Sequence, residues 1–213
     1  MTTAESAMTL DGTAFLFPGQ GSQTVGMGQA FYDDWPETRA AFDRLDDALE
    51  IDLAGLCFDG TAEAIQRPSN TQPLLLATGI AVYEGLTARF DIEPAAVAGH
   101  SLGHFTALAA AGAIEPATTA ALTHRRGECM ERAAAADGPG TMVAVLLADP
   151  EAVAEACATR EDVGVALYNA PKQTVISGTT EGVAAVQERL EDRTSARFRE
   201  LEVGAAFHSP VMA

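Results

Sequence analysis

Short apolar runs and helix-like periodicities alternate along the first half of this chain. Residues 13–17 form an apolar run that Pro18 ends, which is typical of a buried strand. A proline and an acid at 36–37, followed by apolar residues at helical spacing, predict a helix. A second helix is predicted to begin near Pro73, and it gives way to a strand over 95–98. These elements indicate an α/β arrangement.

The pattern changes after the glycine-rich stretch at 136–140. Beyond it, the predicted order is β-α-β-β-α-β, with strands over 142–147, 163–168, 174–178 and 196–203 and helices over 150–159 and 181–190. This order is typical of a ferredoxin-like unit. We therefore predict a larger α/β part over 1–134, a small subdomain over 135–204, and a return to the main body over 205–213.

The composition limits the classes of function that are compatible with the chain. Its net charge of -17 argues against nucleic acid or an anionic membrane as a partner, because both would be repelled. No apolar run approaches the ~18 residues that span a bilayer, and the start lacks the features of a signal peptide, so we expect a cytoplasmic protein. Cys57, Cys129 and Cys157 form no CxxC pair, which predicts buried structural thiols rather than disulfides or a metal site.

Residues 99–103 read Gly-His-Ser-Leu-Gly between the predicted strand and the next helix. Gly-x-Ser-x-Gly in that context is typical of a nucleophile elbow, a tight turn in which glycine neighbours let the backbone pass closely and the serine hydroxyl is exposed. Ser101 would then lie at a helix N-terminus, where the backbone N–H of Leu102 can stabilise an oxyanion. The alternative is that Ser101 is only the N-cap of that helix.

A serine nucleophile needs a base, and the chain contains four histidines, His100, His104, His124 and His208. His100 and His104 flank the serine on the strand side and the helix side of the turn, so we expect neither to point at its hydroxyl. His208 follows the last predicted strand, where the chain returns to the main body, and it is the candidate base. For any one of them the alternative is a hydrogen-bonded structural role.

Five motifs along the chain resemble one family. They are FPGQGSQ (17–23), TQP (71–73), GHSLG (99–103), RRG (125–127) and AFHS (206–209). In this order they resemble malonyl-CoA:acyl carrier protein transacylases and the related acyltransferase domains of fatty acid and polyketide synthases. The resemblance implies an α/β-hydrolase-like core with a mostly parallel sheet and an inserted ferredoxin-like subdomain.

The resemblance also implies a reaction. A malonyl group would move from malonyl-CoA to the phosphopantetheine thiol of an acyl carrier protein, through an acyl-serine intermediate and without a further cofactor or a metal. Thioester exchange suits this ping-pong route, in which Ser101 attacks and His208 takes its proton. The partners expected for the chain are therefore malonyl-CoA and an acyl carrier protein.

Further site residues follow from the resemblance. Gln20 would add a second oxyanion donor through its backbone N–H, although it is otherwise a turn residue between glycines. Malonyl carries a carboxylate whose burial needs a fixed cation, and Arg126 would bind it with its planar fork. Without the family, Arg125 and Arg126 are a solvated helical pair, and Gln72, which would line the same pocket, is a capping residue. Phe207 would leave no room for an α-methyl group, which favours malonyl.

The sequence departs from the family pattern at two places. His104 stands where the family most often has glutamate, and the sequence stops at Ala213, whereas chains of the family continue for roughly a further third. A glutamine that orients the catalytic histidine, a closing strand and a final helix are therefore expected to be missing. We expect a truncated chain, or one that a separate chain or segment completes, and reduced or absent activity in isolation.

Two other functions stay open at this point. Ser101, an acid such as Glu188 or Asp192, and His208 follow the order of the catalytic residues in α/β-hydrolases, so a serine hydrolase or thioesterase would use water as the acceptor. The other is an inactive, truncated remnant that binds a carrier protein or another chain.

Overall fold

The computed structural model describes residues 12–90, 92–136, 140–201, 203 and 205–212. The chain divides into two compact units, unit 1 over Met1–Glu128 and unit 2 over Cys129–Ala213. Among the described residues, no helix combines the length and the apolar character that crossing a membrane requires. The domain limits expected from the sequence, at residues 134 and 204, stay predictions.

Unit 1 consists of helices and a two-stranded parallel sheet. Its elements are β1 (Ala14–Phe17), α1 (Gln29–Asp34), α2 (Pro36–Leu49), α3 (Leu53–Asp59), α4 (Ala62–Gln66), α5 (Pro68–Phe90), β2 (Ala96–Gly99), α6 (Gly103–Ala110) and α7 (Pro116–Ala136), which continues past the boundary. Strands β1 and β2 pair in parallel, with Ala14 opposite Ala96 and Phe17 opposite Gly99. The predicted α/β arrangement is therefore present in unit 1.

One face of this sheet is covered by helix α5. Phe15 and Phe17 of β1 both lie edge-on to Tyr83 of α5, with ring centroids 5.6 Å and 6.1 Å apart. On the opposite face Leu16 is 76% exposed, so β1 is buried on one side only. The strand therefore lies where the sequence predicts it, but half of its side chains are exposed rather than buried.

Helix α5 begins earlier than the sequence predicts. It starts at Pro68, and Pro73 lies inside it. A proline within a helix removes the N–H that would bond to the carbonyl four residues back, which here belongs to Ser69. His124 of α7 fills this position, because its Nδ1 lies 2.9 Å from the Ser69 carbonyl oxygen. A side chain from another helix thus replaces the missing backbone donor.

Unit 2 follows the predicted order of elements. It contains β3 (Gly140–Leu146), α8 (Pro150–Cys157), β4 (Val163–Ala170), β5 (Gln173–Thr179), α9 (Thr180–Glu191), β6 (Arg197–Glu200) and a single 3-10 turn, α10 (Pro210–Met212). The strands form one sheet in the order β4-β5-β3-β6, and each neighbouring pair is antiparallel. Strand β6 is shorter than the predicted 196–203.

The sheet of unit 2 is apolar on both faces. One face, with Val143, Val145 and Ile176, packs against buried residues of α8 and α9. The other face, with Met142, Ala144 and Val175, packs against Ala205 and Phe207. The chain beyond β6 therefore lies on the face opposite to the two helices, since side chains alternate between the faces along each strand.

The three thiols of the chain differ in exposure. Cys57 and Cys157 are buried, whereas Cys129 is exposed, so the prediction of three buried thiols is wrong for Cys129. Burial raises the pKa of the Cys157 thiol to about 11 and also raises the pKa of Cys57. Because the thiolate is the nucleophile, both buried cysteines should react slowly.

We expect Ellman's reagent at mildly alkaline pH to label one thiol of the native protein quickly and the other two only after unfolding. The fast phase should disappear in Cys129→Ser, since that thiol alone is exposed. Two or more fast equivalents in the native protein would show that the apolar clusters around Cys57 or Cys157 open readily.

Candidate active site

The Gly-His-Ser-Leu-Gly turn connects β2 to α6. Ser101 is half-buried and has a φ of 50°, a left-handed conformation that few residues other than glycine adopt. This strained backbone at the serine is a feature of nucleophile elbows. The N-cap of α6 is Leu102 and not Ser101, so the interpretation of Ser101 as a capping residue is wrong.

The two glycines of the turn allow close backbone contacts. A Cβ atom on Gly99 would overlap the carbonyl group of Gly103, and one on Gly103 would overlap the carbonyl group of Phe17. In the loop after β1, a Cβ on Gly19 would lie 2.5 Å from the carbonyl oxygen of His100. The spacing of the glycines therefore lets the elbow pack directly against the loop that follows β1.

We expect Gly103→Ala to lower the free energy of unfolding by about 3 kcal/mol, because the new methyl group has only backbone atoms to displace. Gly112→Ala is the matched control. A Cβ on Gly112 meets no atom within 4 Å, and the only cost there is its φ of 69°, about 1–2 kcal/mol. Urea unfolding measures both values, and a smaller loss in Gly103→Ala than in the control would contradict the close contact.

Leu102, whose backbone N–H is the predicted oxyanion donor, is the N-cap of α6. Its side chain is fully buried, which fixes the start of α6. The next three backbone N–H groups, of residues 103–105, each donate to the carbonyl oxygen three residues back, at 2.9–3.1 Å. The N–H of Leu102 precedes this series and takes no part in it.

Gln20 lies in a turn that side chains close. The Ser22 hydroxyl donates to the Gly19 carbonyl oxygen at 2.8 Å, and the backbone N–H of Gly21 donates to Oε1 of Gln23 at 2.8 Å. Neither bond uses the backbone N–H of Gln20. Its role as an oxyanion donor stays a prediction.

Arg126 and Gln72 contact each other although 54 residues separate them. Nη1 of Arg126 donates to Oε1 of Gln72 at 2.8 Å. Gln72 is fully buried within α5, so its interpretation as a capping residue is wrong. Arg125 is exposed and pairs with Glu128 on its own helix at 2.7 Å. The two adjacent arginines therefore differ, and only Arg126 points towards α5.

The guanidinium of Arg126 is held in an apolar setting. It lies over the ring of Phe105, with Cζ 5.7 Å from the ring centroid. Burial lowers the pKa of the Arg126 guanidinium from its ordinary value, although the group stays protonated. Within the described residues, no carboxylate lies at ion-pair distance from it. Such a half-buried cation is suited to bind an anionic ligand.

Helices α5 and α7 approach closely beside this arginine. A Cβ on Gly127 would overlap the backbone of α5 at Ser69, so the glycine after Arg126 permits the contact. His124 then bonds to the Ser69 carbonyl oxygen. From the sequence, His124 had no assignment beyond the alternative of a hydrogen-bonded structural role. The structure makes it a bridge between the helix that carries Gln72 and the helix that carries Arg126.

His208 lies in unit 2 between β6 and the turn α10. It is exposed, and its φ of 58° is again left-handed. The hydroxyl of Ser209 donates to the carbonyl oxygen of Ala206 at 2.6 Å, and the N–H of Phe207 donates to the carbonyl oxygen of Ala205 at 3.0 Å. These bonds close a compact turn around the imidazole-bearing residue.

Phe207 is buried in the apolar cluster of unit 2. It lies with Met142, Ala144 and Val175 on the sheet face opposite to α8 and α9. This packing accounts for an apolar residue directly before His208. A contact between its ring and the α-carbon of a substrate stays a prediction.

The two acids considered for a hydrolase are on the other side of that sheet. Glu188 belongs to α9 and Asp192 caps its C-terminus. Helix α9 packs on the face with Val143 and Ile176, whereas the chain around His208 packs on the opposite face. The sheet thus separates both acids from His208, and neither can complete a serine–histidine–acid set with it.

Comparisons with known proteins give one consistent family. The family model described as "Acyl transferase domain" matches residues 14–213. A malonyl CoA-acyl carrier protein transacylase of Bacillus subtilis strain 168 is 43% identical over 203 residues, which cover 93% of this chain and 63% of the relative. The crystal structure of MCAT from Streptococcus pneumoniae matches with a TM-score of 0.88 and 38% identity, over 94% of this chain and 66% of that one.

A third match is a complex. It is described as a type II PKS acyl-carrier protein with its malonyl-transacylase, and it has a TM-score of 0.83 and 31% identity over 92% of this chain and 64% of that one. The chain thus spans between 63% and 66% of the length of these three proteins.

Proposed function

We propose that this chain, which belongs to the acyl transferase domain family, carries out malonyl transfer from malonyl-CoA to the phosphopantetheine thiol of an acyl carrier protein. The observation that carries the proposal is the half-buried Arg126, which Gln72 holds and which no described carboxylate neutralises. The named relatives are malonyl transacylases, and a malonyl group differs from other small acyl groups by its free carboxylate. An arginine in this setting is the side chain that recognises such a carboxylate.

The first half of the proposed reaction loads the serine. Oγ of Ser101 attacks the thioester carbonyl carbon while the imidazole of His208 accepts the hydroxyl proton. The backbone N–H groups of Leu102 and Gln20 stabilise the oxyanion of the tetrahedral intermediate. The C–S bond then breaks, the proton passes from His208 to the departing coenzyme A sulfur, and malonyl-Ser101 remains.

The second half reverses these steps with a new thiol. His208 accepts the proton of the phosphopantetheine thiol, whose sulfur attacks the acyl-serine carbonyl. Collapse of the intermediate returns the proton to Oγ of Ser101 and leaves the malonyl group on the carrier. All groups that move are supplied by malonyl-CoA, the phosphopantetheine thiol and the two side chains, so the scheme requires no further cofactor and no metal.

Selection of the acyl group is assigned to two residues. Arg126 would bind the two carboxylate oxygens, which acetyl-CoA lacks. Phe207 would exclude an α-methyl group, a discrimination worth about 1–3 kcal/mol for one methyl group. The apolar cluster that buries Phe207 keeps its ring in place, which supports a steric role.

We also infer that the small subdomain over 135–204 is ferredoxin-like. The strand order β4-β5-β3-β6 and the antiparallel pairing support this, because a β-α-β-β-α-β unit with both helices on one face produces that order. An acyl carrier protein is proposed as the partner because the complex among the structural matches contains one.

Stoichiometric loading tests the proposed function. We expect radiolabelled malonyl-CoA, mixed with an equal amount of protein, to leave acid-stable label on the peptide that contains Ser101. Added holo carrier protein should then take up the label as a thioester. Stoichiometric conditions detect even slow turnover. Release of free malonate without transfer would support a hydrolase instead, and a protein that takes no label would be a binding remnant.

A further inference from the structure

The residues directly before and directly after the exposed His208 are buried. Ala205, Ala206 and Phe207 before it are buried, and Ser209 after it is only 9% exposed. His208 itself is exposed. The segment 205–212 therefore anchors its backbone against the sheet of unit 2 and projects one imidazole from it.

His208 has a backbone conformation that other contacts must maintain. Its φ of 58° is disfavoured for a residue with a Cβ atom, and such conformations persist only where the surroundings determine them. The Ser209 hydroxyl donates to the Ala206 carbonyl oxygen at 2.6 Å, so this bond joins a residue before His208 to the residue after it. Because Ser209 is nine-tenths buried, water competes poorly for the bond.

Two glycines of the sheet lie beneath the same segment. A Cβ on Gly140 of β3 would be 2.6 Å from Cβ of Ala206, and one on Gly164 of β4 would be 3.1 Å from Cδ of Pro210. The segment thus meets the sheet two residues before and two residues after His208. Both contacts occur where the strand has no side chain, which lets the segment lie close to the sheet.

We propose that Ser209 is a positioning residue for His208. Its hydroxyl closes the turn by bonding to Ala206 and so holds His208 in one orientation, while Gly140 and Gly164 set the distance between the segment and the sheet. The inference rests on the proposed function, in which His208 is the base. An imidazole that leaves this orientation accepts the Ser101 proton less often. A displacement of about 1 Å in a reacting group costs about 100-fold in rate.

The rate of acyl-enzyme formation tests this role. In Ser209→Ala we expect the rate at saturating malonyl-CoA to fall about 10- to 100-fold. The malonyl-CoA concentration at half-maximal rate should stay within about twofold, because substrate binding is assigned to Arg126. Ser209→Thr keeps the hydroxyl and should restore most of the rate.

Thr159→Val is the matched control. The Thr159 hydroxyl also donates to a carbonyl oxygen three residues back, that of Ala156, at 2.7 Å, and it lies in unit 2 at the end of α8. We expect this variant to load at the unaltered rate. If Ser209→Ala does not fold, Gly164→Ala replaces it, since pressure on Pro210 should displace His208 in the same way.

Imidazole NMR signals separate the two proposals. Those of His208 are assigned by their loss in His208→Gln, and we expect Ser209→Ala to shift and broaden them while the signals of the other histidines stay. Unchanged His208 signals in Ser209→Ala would overturn the positioning role, whatever the rate. Full loading by His208→Gln would instead overturn His208 as the base, while the NMR comparison still tests the effect of Ser209 on its orientation.

Discussion

Ser101→Ala is expected to take no covalent malonyl label and to lower transfer by about 10⁶-fold, the scale on which removal of a serine nucleophile acts. The hydroxyl oxygen of Ser101 is the atom that forms the ester, and no neighbouring side chain of the elbow offers another hydroxyl. Mass spectrometry of the intact protein after incubation with malonyl-CoA measures the covalent species directly.

The control for this variant is Ser177→Ala. The Ser177 hydroxyl is buried on β5 without a hydrogen-bond partner in the part of the chain that the structure describes. Removing it should leave loading intact and should not lower stability, because an unpaired buried hydroxyl is a cost to the folded state. A malonyl adduct on Ser101→Ala would mean that another residue is the nucleophile.

Arg126→Ala is expected to weaken malonyl loading far more than acetyl loading. Loss of one partner of a buried charge pair costs about 2–5 kcal/mol, which corresponds to a factor of roughly 30 to 4000 in kcat/KM. Acetyl-CoA has no carboxylate, so its slow loading should change little. Arg126→Lys should load malonyl at a rate between those of the unaltered protein and Arg126→Ala, because an ammonium group keeps the charge but lacks the planar fork.

The adjacent arginine supplies the comparison. Arg125→Ala removes a side chain of the same type from the same helix, but this one is exposed and pairs with Glu128. We expect loading of both acyl groups to be unchanged in that variant. Equal losses for malonyl and acetyl in Arg126→Ala would remove the assigned role of Arg126 and leave it as a structural contact of Gln72.

Local restrictions on the backbone explain what the sequence could predict. The elbow follows from Gly99 and Gly103, since each faces another backbone and no larger residue fits. The element order of unit 2 was predictable because apolar alternation and helical spacing change sharply between its elements. The limits of β6 were less accurate, since the strand ends at Glu200 whereas the apolar residues Leu201 and Val203 continue to pack on the sheet beyond it.

Long-range contacts explain what the sequence could not predict. The start of α5 was misplaced because a proline usually opens a helix, whereas Pro73 is tolerated here through the bond from His124, 55 residues away from Ser69. The bond between Arg126 and Gln72 likewise depends on two helices that meet only in the fold. The signal that could have identified His124 is an interior proline, which leaves one carbonyl in need of a donor.

The bridge from His124 fixes which nitrogen of that imidazole carries a hydrogen. A carbonyl oxygen only accepts, so Nδ1 of His124 carries the hydrogen that it donates to Ser69, and Nε2 lies 3.8 Å from Oε1 of Glu128. Replacement of His124 by a side chain without such a donor would remove this link between the helix that carries Gln72 and the helix that carries Arg126.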